Sequence, residues 1–184
     1  MDGAGFLAYV RAEREFASRR FCRRLARGGL LAVSLGLESG CQRLNDALDK
    51  GISVRRTSRI LKSFHREGIM TVLFVMVGFP WEGTRELRRT DAFLARNRPY
   101  IDVPLVSFFG LVRNTRMFQD AARFSMERVQ APPGHDVPFY HQFTPRSAPG
   151  PGVGKLAQQI KARHTPPKDR LLLELIRRRD PRAR

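Results

Sequence analysis

SLGLESGCQRLNDALDK, from Ser34 to Lys50, decides how this chain folds. An apolar run, LLAVSLG over residues 30–36, leads into it and gives way to Glu38-Ser39-Gly40. A short continuous apolar run bounded by turn residues reads as a strand buried on both faces. Directly afterwards Leu44, Ala47 and Leu48 recur at i, i+3 and i+4, one face of a helix, and Gly51 closes that helix. A buried strand that turns sharply into an amphipathic helix is the unit of a parallel α/β sheet.

The same unit repeats on either side. Residues 5–11, GFLAYVR, read as a strand. Ser18 then caps a helix with Phe21, Cys22 and Leu25 on one face, Arg19, Arg20, Arg23, Arg24 and Arg27 on the other, and Gly28-Gly29 as its stop. Ser53 caps a further helix, in which Val54, Thr57, Ile60, Leu61 and Phe64 follow the 3.6 period as far as Gly68. IMTVLFVMV, residues 69–77, is the strongest strand. Thr84 is the expected cap of the next helix, with Leu87, Thr90, Phe93 and Leu94 inward. VPLVSFFGL, residues 103–111, reads as one more strand, with Pro104 near its start, where a missing N–H is tolerated.

Strands alternating with helices pair in parallel through right-handed crossovers. Four strands are too few to close an eight-stranded barrel. The expected class is therefore α/β: an open sheet or a partial (β/α) barrel over residues 1–125. Residues 126–154, with APPG and APGPG, read as Pro/Gly-rich loops. Residues 155–184 read as a helical, basic C-terminal tail: KLAQQIKARH as a short helix, then a docking helix carrying Leu171, Leu172, Leu175 and Ile176, and a frayed end.

Composition narrows the function. The chain has 184 residues, enough for one domain with a real core. Lys and Arg total 34 against 17 Asp and Glu, a net charge of +17 carried mostly by arginine. Such a surface attracts phosphates and other anions without regard to sequence, and loses that attraction in salt. Two cysteines, Cys22 and Cys41, make no disulfide framework and suit a reducing cytoplasm. No basic segment followed by an apolar one opens the chain, so no signal peptide is expected. The apolar run at 69–77 is too short to span a bilayer, so a soluble protein without a membrane partner is expected.

In parallel sheets, ligands bind at the carboxyl ends of the strands. Those ends carry Arg11 and Glu13, then Glu38-Ser39-Gly40, then Gly78-Phe79-Pro80-Trp81-Glu82, then Ser107 and Gly110. A carboxylate after a buried strand, as at Glu38, accepts hydrogen bonds from a ribose diol or holds an ammonium group. The competing reading is that Glu38 and Ser39 only cap the helix that follows. Gly40 permits close backbone approach. His135 and His141, six apart in a Pro-rich loop, make a poor metal pair, and His65 reads as a surface residue of its helix.

These segments resemble the radical S-adenosylmethionine (radical SAM) superfamily. SLGLESGCQRLNDALDKGIS is similar to the ribose-motif segment at the end of the family's fourth strand. GIMTVLFVMVGFPWEGTREL resembles the fifth strand and its Gly-Phe-Pro loop. FLAYVRAEREF resembles the third strand and LVSFFGLVRNTRMFQD the sixth. The resemblance spans residues 5–125 and leans towards the subgroup that often carries an N-terminal cobalamin-binding domain. It implies that Glu38 and Ser39 meet the ribose or methionine part of S-adenosylmethionine. It also implies that Gly78, Phe79 and Pro80 line the adenine side and that Arg11 faces the same cavity. The parent family adds a [4Fe–4S] cluster held by CxxxCxxC and generates a 5′-deoxyadenosyl radical.

This chain departs from that pattern. It contains no CxxxCxxC, and the spacing of Cys22 and Cys41 is not that of a cluster site, so no cluster and no catalytic residue are expected on it. The segment matching the second strand is also missing. Cys41 stands where the family has Ser, Trp81 follows Gly-Phe-Pro where Gly is common, and VRNTRMF replaces a Pro-Gly-Thr-Pro-like turn in which Asn114 can still take positive φ. The resulting expectation is the C-terminal part of a radical SAM barrel, truncated and inactive alone, with cobalamin reachable only through an upstream domain. Its partner would be a missing N-terminal half or a second copy covering the open sheet edge. Two alternatives stand beside it: a non-catalytic basic module for nucleic acid or an acidic protein, and one half of a two-chain enzyme.

Overall fold

The computed structural model describes residues 5–134 and 138–166. Strand β1 (Phe6–Val10) is followed by a 3-10 turn and helix α1 (Arg19–Arg27), whose first turn is capped by Ser18 Oγ accepting from Phe21 N at 3.4 Å. Strand β2 (Leu30–Glu38) leads to α2 (Gln42–Leu48) and α3 (Val54–Arg66), the latter capped by Ser53 Oγ, which accepts from Arg56 N at 3.2 Å. Strand β3 (Met70–Val77), α4 (Thr84–Asn97) and β4 (Val103–Phe108) complete the repeat. The four strands form one sheet in the order β1-β2-β3-β4, every pair parallel. This is the expected α/β architecture, an arc of a (β/α) barrel.

Alternation along the strands decides which face is covered. Val33, Leu35 and Leu37 of β2 and Leu73, Val75 and Val77 of β3 pack with Ile60, Leu61 and Phe64 of α3 and Leu87, Phe93 and Leu94 of α4 in one core. The opposite face holds only a small cluster of strand residues: Ala32, Met70, Val72 and Val103, with Leu105 against them. On β1 this face is open to solvent, with Leu7 62% and Tyr9 87% exposed. Helices α1, α3 and α4 thus lie on one side, α2 packs with Phe79 at the strand ends, and the opposite face is buried at Ala32, Met70, Val72 and Val103 but exposed at Leu7, Tyr9 and Phe74.

Three local expectations change. Helix α4 is capped by Gly83, not Thr84, because the Glu86 carboxylate reaches back to accept from Gly83 N at 3.0 Å. Ala47 is exposed, and Asn45 takes its place in the buried face of α2 beside Leu44 and Leu48. The run 103–111 is not one strand. β4 stops at Phe108, and Leu111–Val112 (β5) joins a second sheet.

That second sheet corrects the loop reading of 126–154. Met126–Gln130 (β6) and Tyr140–Pro145 (β7) pair antiparallel, and β7 also pairs with β5. A short α5 (Arg116–Gln119) sits between, and Asn114 ahead of it takes φ 62°. Leu111, Phe124 and Met126 form a small core with Trp81, Phe109 and Phe143 around it, enough to hold strands too short and polar to show in the sequence. The Pro/Gly segments turn the chain between these strands. Helix α6 (Val153–His164) packs Val153, Ala157 and Ile160 into the main core, as expected for KLAQQIKARH. After it, Thr165 Oγ1 accepts from Val106 N at 3.1 Å and donates to Val106 O at 3.2 Å, meeting the outer edge of β4. The docking helix and frayed end expected at the C-terminus lie outside the described residues.

Candidate functional site

Gly36 pairs with Phe74 and Glu38 with the very next residue of β3, Val75, so β2 bulges just before it ends. Glu38 itself sits in left-handed backbone at φ 62°, a conformation that costs a non-glycine residue about 1–2 kcal/mol. The strain is informative, because such conformations persist where the surrounding structure enforces them and cluster at functional sites. They aim the Glu38 side chain at Lys50, whose Nζ donates to Oε1 at 2.7 Å. Lys50 arrives from the end of the short helix α2, where Asp49 is likewise left-handed at φ 53°. Arg11, just past β1, donates to the Lys50 carbonyl at 2.6 Å and lies 3.7 Å from Glu13. Asp49 is ion-paired with Arg116 at 2.8 Å, and hydrogen bonding to that guanidinium lowers its carboxyl pKa.

Together these residues border a cavity of about 420 Å³ at the carboxyl ends of β1 and β2, walled by Arg11, Glu13, Gly36, Glu38, Asp49 and Lys50, among others. The volume falls within the range of roughly 300–1,000 Å³ usual for small-molecule sites. Two expected site residues, Glu38 and Arg11, are therefore brought together. Glu38 does not cap α2; its carboxylate is committed to Lys50.

Ser39 is elsewhere. It is fully buried, its Oγ lies 3.1 Å from Thr90 Oγ1 and accepts from Cys41 N at 3.1 Å, and its carbonyl accepts from Asn45 Nδ2 at 2.8 Å. Ser39 ties the start of α2 to α4 and offers nothing to the cavity. Gly40 does provide a close approach, but to a helix: a Cβ there would lie 2.6 Å from Thr90 Cα and 2.8 Å from Phe93 Cβ.

Gly78, Phe79 and Pro80 form the neighbouring strand end and do not line the Glu38 cavity. Gly78 is exposed at φ 83°, whereas Phe79 and Pro80 are buried. Phe79 packs on Cys41, Leu44 and Leu48 and tilts against Trp81 and Phe109 at centroid distances of 5.5 and 5.1 Å. Beside this loop is a second, apolar cavity of about 250 Å³, bordered by Leu48, Met76, Phe109, Leu111 and Met117, with Lys50 and Arg116 among its walls. Lys50 faces both cavities.

Two residues that carry the geometry were not singled out from the sequence. Lys50 is one; its only signal was its place in Asp-Lys-Gly at a helix stop. Glu82 is the other. Its Oε2 accepts from Gly78 N at 2.5 Å and from Phe79 N at 3.3 Å, its residue is 4% exposed, and burial pushes its carboxyl up to about 7. An acid four residues after a strand-end glycine was the available signal.

The residues present fit a small zwitterionic or ribose-bearing ligand at the Glu38 cavity, since a carboxylate, a lysine and an arginine converge there. They do not fit an iron–sulfur cluster. Cys22 is buried in the main core, donates to Phe16 O at 3.2 Å, and burial raises its thiol pKa to about 11. Cys41 is buried in a different apolar cluster. Among the described residues, no group of three His, Cys, Asp or Glu is placed to hold a metal ion. His141 packs its ring on Phe118 at 4.6 Å, and His135 lies outside the described residues. No helix among the described residues is long and apolar enough to cross a membrane.

No protein-family model matches the chain, and no curated protein matches it. Solved structures do. The chain is similar to Elp3 from the archaeon Methanocaldococcus infernus, with a TM-score of 0.54 at 16% identity, over 65% of this chain and 28% of that one. It is also similar to TsrM from Kitasatospora setae, a radical S-adenosylmethionine methyltransferase solved with cobalamin and a [4Fe–4S] cluster. There the TM-score is 0.48 at 23% identity, over 58% of this chain and 20% of that one. A second TsrM structure, with tryptophan substrate and an S-adenosylmethionine analogue, gives the same values. The likeness is one of fold, and it spans about a quarter of the length of these proteins.

Proposed function

We propose, from that likeness of fold together with the resemblance of the segments around Glu38 and Gly78, that this chain is the ligand-cradling part of a radical SAM-type domain. Its Glu38 cavity receives the S-adenosyl ligand. The observation that carries this is Glu38 itself: a strained, bulged residue at a strand end that presents a carboxylate to a cavity of ligand size. Bound there, the ligand's ribose diol donates to Glu38, or its ammonium group displaces Lys50 from it. Lys50 and Arg11 then remain to meet a carboxylate. Gly78, exposed at the neighbouring strand end outside the cavity walls, is the proposed adenine side, with Phe79 and Pro80 buried behind it. Ser39 acts through structure, by fixing the turn from which Glu38 projects.

In the family these segments resemble, a bound cluster would supply the electron that splits S-adenosylmethionine into methionine and the 5′-deoxyadenosyl radical. With no CxxxCxxC in its sequence, this chain binds ligand without cleaving it reductively. A cluster would come only with another segment or another polypeptide, for which the exposed side of β1 at Leu7 and Tyr9 is the available surface. Cobalamin enters only with such an addition.

The test is calorimetric titration of the chain with S-adenosylmethionine and with S-adenosylhomocysteine. Saturable one-to-one binding that is lost in Glu38→Ala supports the reading. Binding that is absent at millimolar ligand, or indifferent to Glu38→Ala, refutes it. The surplus of 17 positive charges favours a second activity, attraction to nucleic acid. A binding module would show a defined stoichiometry, whereas charge alone gives sequence-blind binding that disappears with salt.

A further inference from the structure

Glu82 is a buried acid that the proposed ligand site does not use. It lies in the turn between β3 and α4, with one carboxylate oxygen, Oε2, bound to both Gly78 N and Phe79 N. The other oxygen, Oε1, is buried and has no hydrogen-bond partner, and the indole Nε1 of the adjacent Trp81 is in the same state. The rings of Phe79, Trp81 and Phe124 form a stack along this turn. Burial favours the neutral carboxyl, and the two amide bonds, which favour the ionised form, offset that only in part. An ionised one leaves a bare anionic oxygen in apolar surroundings, which is expensive.

We propose that Glu82 is a proton-operated latch on the Gly78–Pro80 loop: protonated, it holds the loop against the end of β3; ionised, it lets the loop go. The charged groups around the turn set the direction of release. Glu86, on α4, repels an ionised Glu82. Arg43, on α2, already bridges Glu86 at 3.2 Å and donates to Trp81 O at 3.4 Å. Arg123, Asp46 and Asp49 border the hollow beside Trp81. An ionised Glu82 therefore turns towards water and Arg43, leaving the amides of Gly78 and Phe79 without their acceptor. The raised affinity of this carboxyl for its proton places the transition close to neutrality. The latch does not depend on any ligand, so it stands or falls separately from the proposed S-adenosyl site.

Trp81 is the only tryptophan, so its emission reports this turn directly. The experiment is a pH titration of the full chain, without ligand, followed by tryptophan fluorescence and by ¹³C NMR of labelled glutamate carboxyls. Expected is one emission step centred near pH 7, matched by the Glu82 carboxyl resonance, with the step gone in Glu82→Gln. Because histidine ordinarily titrates in the same range, His141→Asn is the control, and the step survives it. An emission step that persists in Glu82→Gln overturns the proposal. So does a Glu82 resonance that titrates in the ordinary carboxylate range. The NMR arm uses the wild-type chain alone, so it decides the matter even where the variant does not fold.

Discussion

Replacing Gly40 by alanine tests how the turn beneath Glu38 is held. The added Cβ would lie 2.6 Å from Thr90 Cα, 2.8 Å from Phe93 Cβ and 3.0 Å from Arg89 O. All three belong to α4, and two are backbone atoms, so no side-chain rotation relieves the clash. To restore ordinary contact, α4 must withdraw by about 1 Å, since carbon–carbon contacts settle near roughly 3.5–4.0 Å. Withdrawal stretches the bond from Gly40 N to Thr90 Oγ1 and the Ser39–Thr90 hydroxyl pair, each 3.1 Å. Overpacking of this kind costs about 1–3 kcal/mol, and each hydrogen bond weakened adds about 1 kcal/mol. We expect a loss of roughly 3 kcal/mol, or a fall in melting temperature of roughly 6–12 °C for a chain of this size. Thermal unfolding by far-ultraviolet circular dichroism measures it. The control is Gly154→Ala in α6, where an added Cβ meets nothing within 4 Å and better helix propensity adds a few tenths of a kcal/mol. A Gly40→Ala protein melting within 2 °C of wild type, on the scale of about 2–4 °C per kcal/mol, refutes the packing argument.

Other consequences follow from single residues. Glu82 binds its proton more tightly when folded (about 7) than when unfolded (4.5), so its contribution to stability is fullest below pH 4.5 and is lost as pH rises through 7. The difference is at most about 3 kcal/mol, and urea unfolding at several pH values should show it in wild type and not in Glu82→Gln. Glu38→Gly removes the left-handed strain at φ 62° but also the Lys50 pair, so the fold should change in stability by less than about 1 kcal/mol. The same change should abolish S-adenosyl ligand binding by titration, so a folded variant that keeps affinity contradicts the site assignment. Both cysteines are fully buried, and the Cys22 thiol is raised to about 11. Ellman's reagent at pH 8 should find neither thiol until denaturant is added; rapid labelling of the native chain would show that the core is open.

The parallel sheet was legible because its signals are strong and local. Apolar runs of strand length alternate with 3.6-period faces, and Ser18 and Ser53 cap where serine is expected to. The second sheet was not legible. β6 bends at Arg128, which takes φ 47°, and β7 half-buries only every second residue, so neither shows a clean pattern. Glu38 and Arg11 were placed at strand ends by the sequence, and they do border one cavity. Glu82 was placed at a strand end too, but its burial was not legible, and Lys50 gains its contact with Glu38 only across the fold. Ser39 and Gly40 show the converse: their pattern was read as a ligand's, and their partner is α4. Phe79 and Pro80 are likewise turned into the protein, leaving Gly78 as the exposed member of that motif.

The contact of Thr165 with Val106 gives the sheet a direction of growth. On the β4 side a hydroxyl already occupies both backbone groups of Val106, and α6 lies alongside. On the β1 side no strand follows among the described residues. The arc therefore has one edge, that of β1, with room for backbone pairing among the described residues. Any strand placed there would need matched phase as well as matched edge, because a slip of one residue would swap its core-facing side chains with those of the opposite face.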